Sequence, residues 1–408
     1  MLQTLQHDAK AEVSSTGVLT WHLITCEYPP QSGGVSDYVL LLAKGLASAG
    51  DQVHVWSPTL AGKAPEIRGV EVHPELGNFS PSDLKRAGRE LDRFPGPRRL
   101  LVQWVPHGFG YRSMNLPFCL WLWSRSRYHQ DHVDLMVHEP FLQFLPGRWR
   151  QNAAAAVHRL MTMVLLRTAE EIYLSTPTWE PRLRPYDFGQ HAAYKWLPLP
   201  SNVPVSNDPA GIAAIRREYA RGGLLLGHFG TFNPAITPML SAAVPALLRK
   251  ATGASLLLIG GGGEAFRDRL IQEHPEFEGV VHAVGRIDAG DTRLSAHLGA
   301  CDVMLQPYPD GVTTRRTTMM AALAHGVATV TTTGELTEPL WRTCGAARLA
   351  PAIDSEKFVA LAQELLESGE KRAALGASGR EFYQQNFDIR HIVELLRAPS
   401  GRLAIPEK

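Results

Sequence analysis

The sequence is poor in the features that mark several protein classes. Its 408 residues hold four cysteines, Cys26, Cys119, Cys301 and Cys344. No two form a C-x-x-C pair, so neither a structural zinc site nor a disulfide scaffold is expected, and the thiols read as reduced, mostly buried side chains. Charge of one sign is also lacking: 41 Lys and Arg face 40 Asp and Glu, a net charge of +1. That balance argues against nucleic acid or another polyanion as partner and leaves room for a local cationic pocket. No stretch offers about 20 uninterrupted apolar residues, so no transmembrane helix is expected. The first 16 residues are polar and lack the apolar core of a signal peptide. No D-x-D triplet is present, and no metal site is predicted. What remains is 44% hydrophobic and 20% charged, the texture of a globular chain long enough for two domains.

Short apolar runs alternate with helical stretches. Residues 18–25 read as a buried strand, 35–50 as a helix stopped by Gly50, and 52–57 as a second strand. Such a βαβ unit demands parallel strands and a right-handed crossover. Strands follow at 99–105, 133–138, 171–175 and 194–197, with helices at 116–124 and 152–167. Segment 198–209 carries four prolines without a period and reads as an interdomain linker. The alternation then restarts, with strands at 224–229, 255–259, 280–284, 303–306 and 328–331 and helices at 236–250, 291–299 and 317–325. Residues 355–396 are largely helical. The predicted class is α/β: two Rossmann-like, doubly wound parallel-sheet domains facing a central cleft. The expected layout is a disordered tail over 1–17, an N-terminal domain over 18–203, a C-terminal domain over 204–380, and a final helix and tail over 381–408 packing back on the first domain. In such folds ligands sit at the carboxyl ends of the strands.

Four places have the chemistry for a site. Gly33 and Gly34 follow strand one and precede a helix, whose first N–H groups favour an anion. His138 ends a strand in MVHEP, where an imidazole either orients a hydroxyl or handles a proton near neutral pH; His107 follows another strand in WVPHGFG. The turn DGVTTRRTT, residues 310–318, sets hydroxyls and two arginines at a helix start, with charge-assisted bonds of roughly 1.5–3 kcal/mol each available to an anion. The arginines alternatively bridge to Asp310. The run Gly260–Gly263 lacks the G-x-x-x-x-G-K-[ST] spacing and reads as a structural turn. The apolar stretches 116–123 and 153–166 read as packed helices.

Taken in order, these pieces resemble the retaining nucleotide-sugar glycosyltransferases of the GT-B fold, family 4 (glycosyl transferases group 1), over about residues 18–393. EYPPQSGGVSDYVLLLAKGLASAGDQVHVWSP is similar to that family's opening, and LLVQWVPHGFGYRSMNLPFCLWLWSR with MVHEP to a subgroup of it. LLLIGGGGE, VVHAVGRI, ACDVMLQPYPDG and ALAHGVATVTT follow in the family's order. The resemblance implies transfer of a sugar from a nucleoside diphosphate sugar to an acceptor hydroxyl, with retention, in glycan, polysaccharide or glycolipid synthesis. It places Gly33 and Gly34 beside the donor phosphates and reacting sugar, with Gly34 and His138 in the catalytic role. Gly285, Arg286 and Ile287 fall beside the base, Gly230 and Thr231 in the donor site, and Thr313, Thr314, Arg315, Arg316 and Thr317 around the pyrophosphate. His107 and Tyr111 fall on the acceptor side.

The chain departs from this family where a Glu, seven residues and a second Glu are usual: Thr313 and Ala321 stand there. The usual Arg and Lys after the first C-terminal strand are replaced by GHFGTFN, residues 227–233. We assign Arg315 and Arg316 to restore the lost positive charge, and Glu338, or else Glu335, to reach the ribose. No cofactor is expected beyond the nucleoside diphosphate sugar itself. The expected acceptor is a glycan, glycolipid or small molecule, and the expected location the cytoplasm, with peripheral contact at the inner face of the membrane. Two other readings stay open: a catalytically silent sugar-nucleotide-binding protein, and a nucleotide-sugar epimerase on the same architecture.

Overall fold

The computed structural model describes residues 17–189, 191, 194–288 and 290–398. The tail expected over 1–17 therefore lies, apart from Gly17, outside the described residues, as does the chain beyond 398.

The first domain alternates β1 (Thr20–Ile24), α1 (Gly34–Ser48), β2 (Gln52–Pro58), β3 (Val70–Gly77), α2 (Pro81–Leu91), β4 (Arg99–Trp104), α3 (Leu116–His129), β5 (His132–Val137), α4 (Trp149–Thr168), β6 (Glu171–Leu174), α5 (Glu180–Leu183) and β7 (Lys195–Trp196). Among the described residues it forms a seven-stranded sheet in the order β3-β2-β1-β4-β5-β6-β7, and each recorded strand pair is parallel. Helices cover both faces, so the central strands are apolar almost throughout. Trp21 and Leu23 pack with Tyr38 and Leu42 on one face, while Ile24, Leu100 and Val102 pack with Phe118 and Leu122 on the other.

The second domain holds α6 (Pro209–Ile215), β8 (Leu225–Phe229), α7 (Thr237–Lys250), β9 (Ser255–Ile259), α8 (Gly263–Glu273), β10 (Val281–Ala283), α9 (Thr292–Ala300), β11 (Val303–Gln306), α10 (Thr317–Ala324), β12 (Ala328–Thr333), α11 (Leu340–Thr343), β13 (Arg348–Pro351), α12 (Ser355–Glu367) and α13 (Gly369–Asn386). Among the described residues its six strands run β10-β9-β8-β11-β12-β13. Both sheets reverse their winding direction beside their first strand, between β1 and β4 and between β8 and β11. A doubly wound sheet opens a crevice at that reversal, at the carboxyl ends of the strands.

Several elements went unpredicted, among them β3, α2, α8 and β13. Strand β3 lies at the sheet edge, half exposed, and Pro74 interrupts its apolar pattern. Helix α2 is strongly charged. It is set by a reciprocal cap, in which Ser80 accepts from the Asp83 backbone and Asp83 reaches back, with Pro81 in the first turn. Helix α8 begins inside the glycine run.

The proline segment joins the two domains, largely buried up to Val203 and more exposed beyond it. Leu199 N donates to Thr314 O, Ser201 N to Tyr383 Oη and Ser206 N to Ser295 Oγ. A boundary at residue 380 would cut α13, which packs on α10. The return to the first domain is made by α14 (Ile389–Arg397). Ile392, Val393 and Leu396 join the core beside α1, and Arg397 donates to Ala49 O and pairs with Asp51 at 2.9 Å. The four cysteines are unbridged. Among the described residues, no helix is long and apolar enough to cross a membrane.

Candidate functional site

The two switch points face one another across a cleft of 660 Å³. Gln31, Ser32, Gly33, Gly34 and Asp37 line it from the first domain, and Phe229, Gly230, Thr231, Gly260, Gly261, Arg286, Ile287 and Asp288 from the second. Of the residues expected at a donor site, the cleft thus gathers Gly33, Gly34, Gly230, Thr231, Arg286 and Ile287. Gly285 stands just behind: its carbonyl accepts from Gly260 N at 2.8 Å. The glycine run is structural, as expected, and also walls the cleft. Gly260, at φ +132°, lies against the Gly230 carbonyl, where any Cβ would overlap.

The amino end of α1 differs from expectation. Glu27 Oε1 accepts from Val35 N and Ser36 N, both at 2.9 Å. The anion at this helix end is therefore the chain's own carboxylate. A Cβ at Gly33 would run into that carboxylate and displace it, whereas Gly34 has open space on its side-chain face. Asp37 accepts from Asn202 Nδ2 at 3.0 Å, and burial raises its pKa against the pull of Asn202 and Arg286. Asp37, Asn202 and Asp288 are cleft residues that sequence reasoning missed. The only signal was Asp37 in the first turn of a helix that faces the cleft.

His138 caps β5 below this site. Its Nε2 donates to Gln103 Oε1 at 3.0 Å, and its ring meets Tyr38 edge-on at 5.1 Å. Burial holds its pKa down at about 3, so the ring is neutral at physiological pH. Of the two roles expected for His138, a neutral, hydrogen-bonded ring favours orienting a hydroxyl over handling a proton. A second buried imidazole went unpredicted. His228 Nδ1 donates to Leu305 O at 2.7 Å, leaving Nε2 as a buried acceptor without a partner near Gly230. Its pKa is held down at about 4, again by burial.

The turn 313–317 lies between the domains and does not line the cleft. Thr313 and Thr314 are fully buried. Thr314 Oγ1 is 2.9 Å from Ser175 O and 2.7 Å from Glu338 Oε1. Glu338 also accepts from Thr176 Oγ1 at 2.6 Å, Thr314 N at 2.9 Å and Trp341 Nε1 at 2.9 Å. That carboxylate is buried and engaged, so Glu338 fastens the domains and does not face a ribose. Glu335 pairs with Arg182 at 2.6 Å. Ala321 points into the apolar cluster with Leu257, Ile259 and Met304, which explains why a carboxylate is not carried there.

Arg315 bonds to Asp310 at 3.0 Å, and Arg316 pairs with the other oxygen of the same carboxylate. The alternative of a bridge to Asp310 is the one realised, although two cations share one anion. Thr317 opens α10 behind them. Glu139, which sequence reasoning passed over, stands 3.9 Å from Arg315 and 3.7 Å from His107 Nδ1. It joins the turn to the acceptor side, where His107 and Tyr111 are exposed. Its one signal was its place next to the strand-ending His138.

Known proteins share parts of this arrangement. Residues 223–368 match the family model for glycosyl transferases group 1. Over that stretch, most of the second domain, the chain is similar to the group 1 glycosyltransferases. No curated protein sequence matches the chain. In fold, the chain is similar to a sucrose-phosphate synthase from Thermosynechococcus elongatus, with TM-score 0.69 and 18% identity over 93% of this chain and 97% of that one. It is also similar to HepE of Anabaena in complex with UDP and glucose, with TM-score 0.64 and 14% identity over 93% and 98%. For WaaG, a glycosyltransferase of lipopolysaccharide biosynthesis, the values are 0.61 and 13% over the same shares. The two parallel-sheet domains are those of the GT-B fold.

Proposed function

We propose that the protein is a glycosyltransferase that moves a hexosyl group, with retention, from a uridine diphosphate sugar to a hydroxyl held on the first domain. The observation that carries this reading is the cleft itself, where the glycines of both switch points leave backbone exposed beside Arg286. Among the structural neighbours, HepE carries UDP and glucose, and the trehalose-6-phosphate protein of E. coli carries UDP-2-fluoro glucose. The uracil and ribose sit against Arg286 and Ile287. The diphosphate spans Gly230 and Thr231, towards the turn that bears Arg315 and Arg316. Fixed cations then stabilise the leaving diphosphate. Neutral His138 orients a sugar hydroxyl, and its truncation lowers turnover more than UDP affinity.

The acceptor side adjoins an apolar and basic surface. His158 donates to Ser113 O and accepts from Leu142 N, tying the Tyr111 loop to the segment that exposes Phe144, Leu145 and Trp149 beside Arg148 and Arg150. This surface suits a lipid-linked acceptor at an anionic membrane.

The test is calorimetry with UDP, GDP, ADP and TDP, followed by incubation with UDP-glucose and NMR of the released sugar. Preferential UDP binding and an α-configured product support the proposal. Binding without turnover supports the silent sugar-nucleotide-binding reading, which the engaged Glu338 and buried Ala321 favour. Absence of binding to all four nucleotides overturns both.

A further inference from the structure

A second constellation lies apart from the cleft, on one face of the first sheet at its β3 edge. The parallel register sets His54 opposite Glu71 and Trp56 opposite His73, so all four side chains share a face. His54 Nδ1 and His73 Nε2 point at one another at 3.1 Å. Glu71 Oε2 closes the triangle, 3.4 Å from His54 Nδ1 and 3.9 Å from His73 Nε2. Among the described residues, this is the one group of three histidine, cysteine or carboxylate side chains whose ligand atoms converge within 4.8 Å.

The spacing has a definite meaning. Ligand atoms about 2.0–2.1 Å from a tetrahedral ion stand about 3.3 Å from each other. The three edges observed bracket that value. The rings are also held in place. His73 stacks on Trp56 at 4.3 Å, and His54 is stacked by His22 at 5.1 Å and flanked by Phe94 at 4.5 Å. Only Glu71 is exposed and able to swing, and it opens the fourth position to water. Glu90 adds a second carboxylate close enough to act on His73.

We infer that His54, His73 and Glu71 form a binding site for one first-row divalent transition cation of the zinc class, with two imidazole nitrogens and one carboxylate as ligands and water in the fourth place. Without the ion, one of the two facing nitrogens carries a proton and donates it to the other. Ligation requires His54 to hold its proton on Nε2 and His73 on Nδ1, a tautomer exchange that leaves both rings neutral. The ion clips the edge strand β3 to β2. None of the three residues lines the donor cleft, so the site is independent of sugar transfer.

The experiment uses the full chain, stripped with EDTA and titrated with Co2+ while the visible d–d absorption is followed. One Co2+ per chain is expected, with an intense low-coordinate band that Zn2+ displaces. Zn2+ should also raise the melting temperature. Since loss of even an outer partner costs about 10–100-fold in metal affinity, His73→Gln should weaken Co2+ binding at least about a hundredfold and Glu71→Gln about tenfold. UDP affinity should be unchanged in both. Should His73→Gln fail to fold, the exposed Glu71→Gln still decides the question. Absence of the band in the wild-type chain, or a band whose affinity is untouched by Glu71→Gln, overturns the site.

Discussion

Single side chains at the site differ in which charges are already engaged. Asp310 holds both Arg315 and Arg316, whereas Arg286 stands exposed on the cleft wall. A charge-assisted bond to a phosphate is worth about 1.5–3 kcal/mol, at least about a tenfold change in Kd. Arg286 lies against the uracil and ribose rather than the diphosphate, so Arg286→Ala should weaken UDP binding by less than about tenfold by calorimetry. Asp310→Asn should tighten it, because it removes a carboxylate from the turn and releases two guanidinium groups towards a dianion. Weaker binding in Asp310→Asn would instead mean that the carboxylate positions the arginines. The contrast shows the limit of reading residues from sequence. The cation-rich turn was legible, and so was Asp310 as an alternative partner. That Thr314 docks on Ser175 of the other domain was not, because residues 139 apart meet only through the fold. Glu27 was in plain view within the opening motif. Its capping of α1 depends on the loop turning back on itself, which composition does not record.

Elements were legible where burial wrote an apolar period and silent where it did not. The central strands of both sheets sit between two layers of helices, and most read as mainly apolar runs, such as LLV in β4 and LLLI in β9. Strand β3 and helix α2 present half their surface to water, so their signals were a weak alternation and a capping box. The position of α14 is a prediction that belongs to this scale. A Cβ added at Gly45 of α1 would stand 3.0 Å from both Ile389 and Val393, so the helices approach along a glycine. Gly45→Val forces them apart. Overpacking of this kind costs typically about 1–3 kcal/mol. Urea unfolding should show that loss while UDP affinity stays within twofold, because α14 lies outside the cleft. An undiminished midpoint would show that α14 does not hold the first domain.

At the scale of the whole molecule, stability rests on imidazoles that the fold keeps neutral. His22, His138 and His228 have pKa values held down at about 3, about 3 and about 4, each chiefly by burial. Burial also lowers His54, His73, His158, His282 and His325. In the unfolded chain each takes a proton near 6.5, about the ordinary histidine value. Below that pH the unfolded state binds more protons than the native one, so stability is full above about 6.5 and falls as pH drops towards the native values. Buried carboxylates with raised pKa, such as Asp37, Asp134 and Glu338, act in the opposite sense, but only nearer their own range. Between pH 7.5 and 5.5 the histidines therefore dominate, and the urea midpoint should fall. His228 allows the cause to be isolated, because Asn in its place keeps a donor for the Leu305 carbonyl. His228→Asn should be less stable than wild type at pH 7.5, since it vacates ring volume. It should also lose about 1.3 kcal/mol less than wild type on going to pH 5.5, the linkage expected for a group moved from 6.5 to about 4. A stability gap that stays constant across those two pH values would mean that His228 takes up its proton in the native protein over the same range as in the unfolded chain, and that the neutral interior deduced from its burial is wrong.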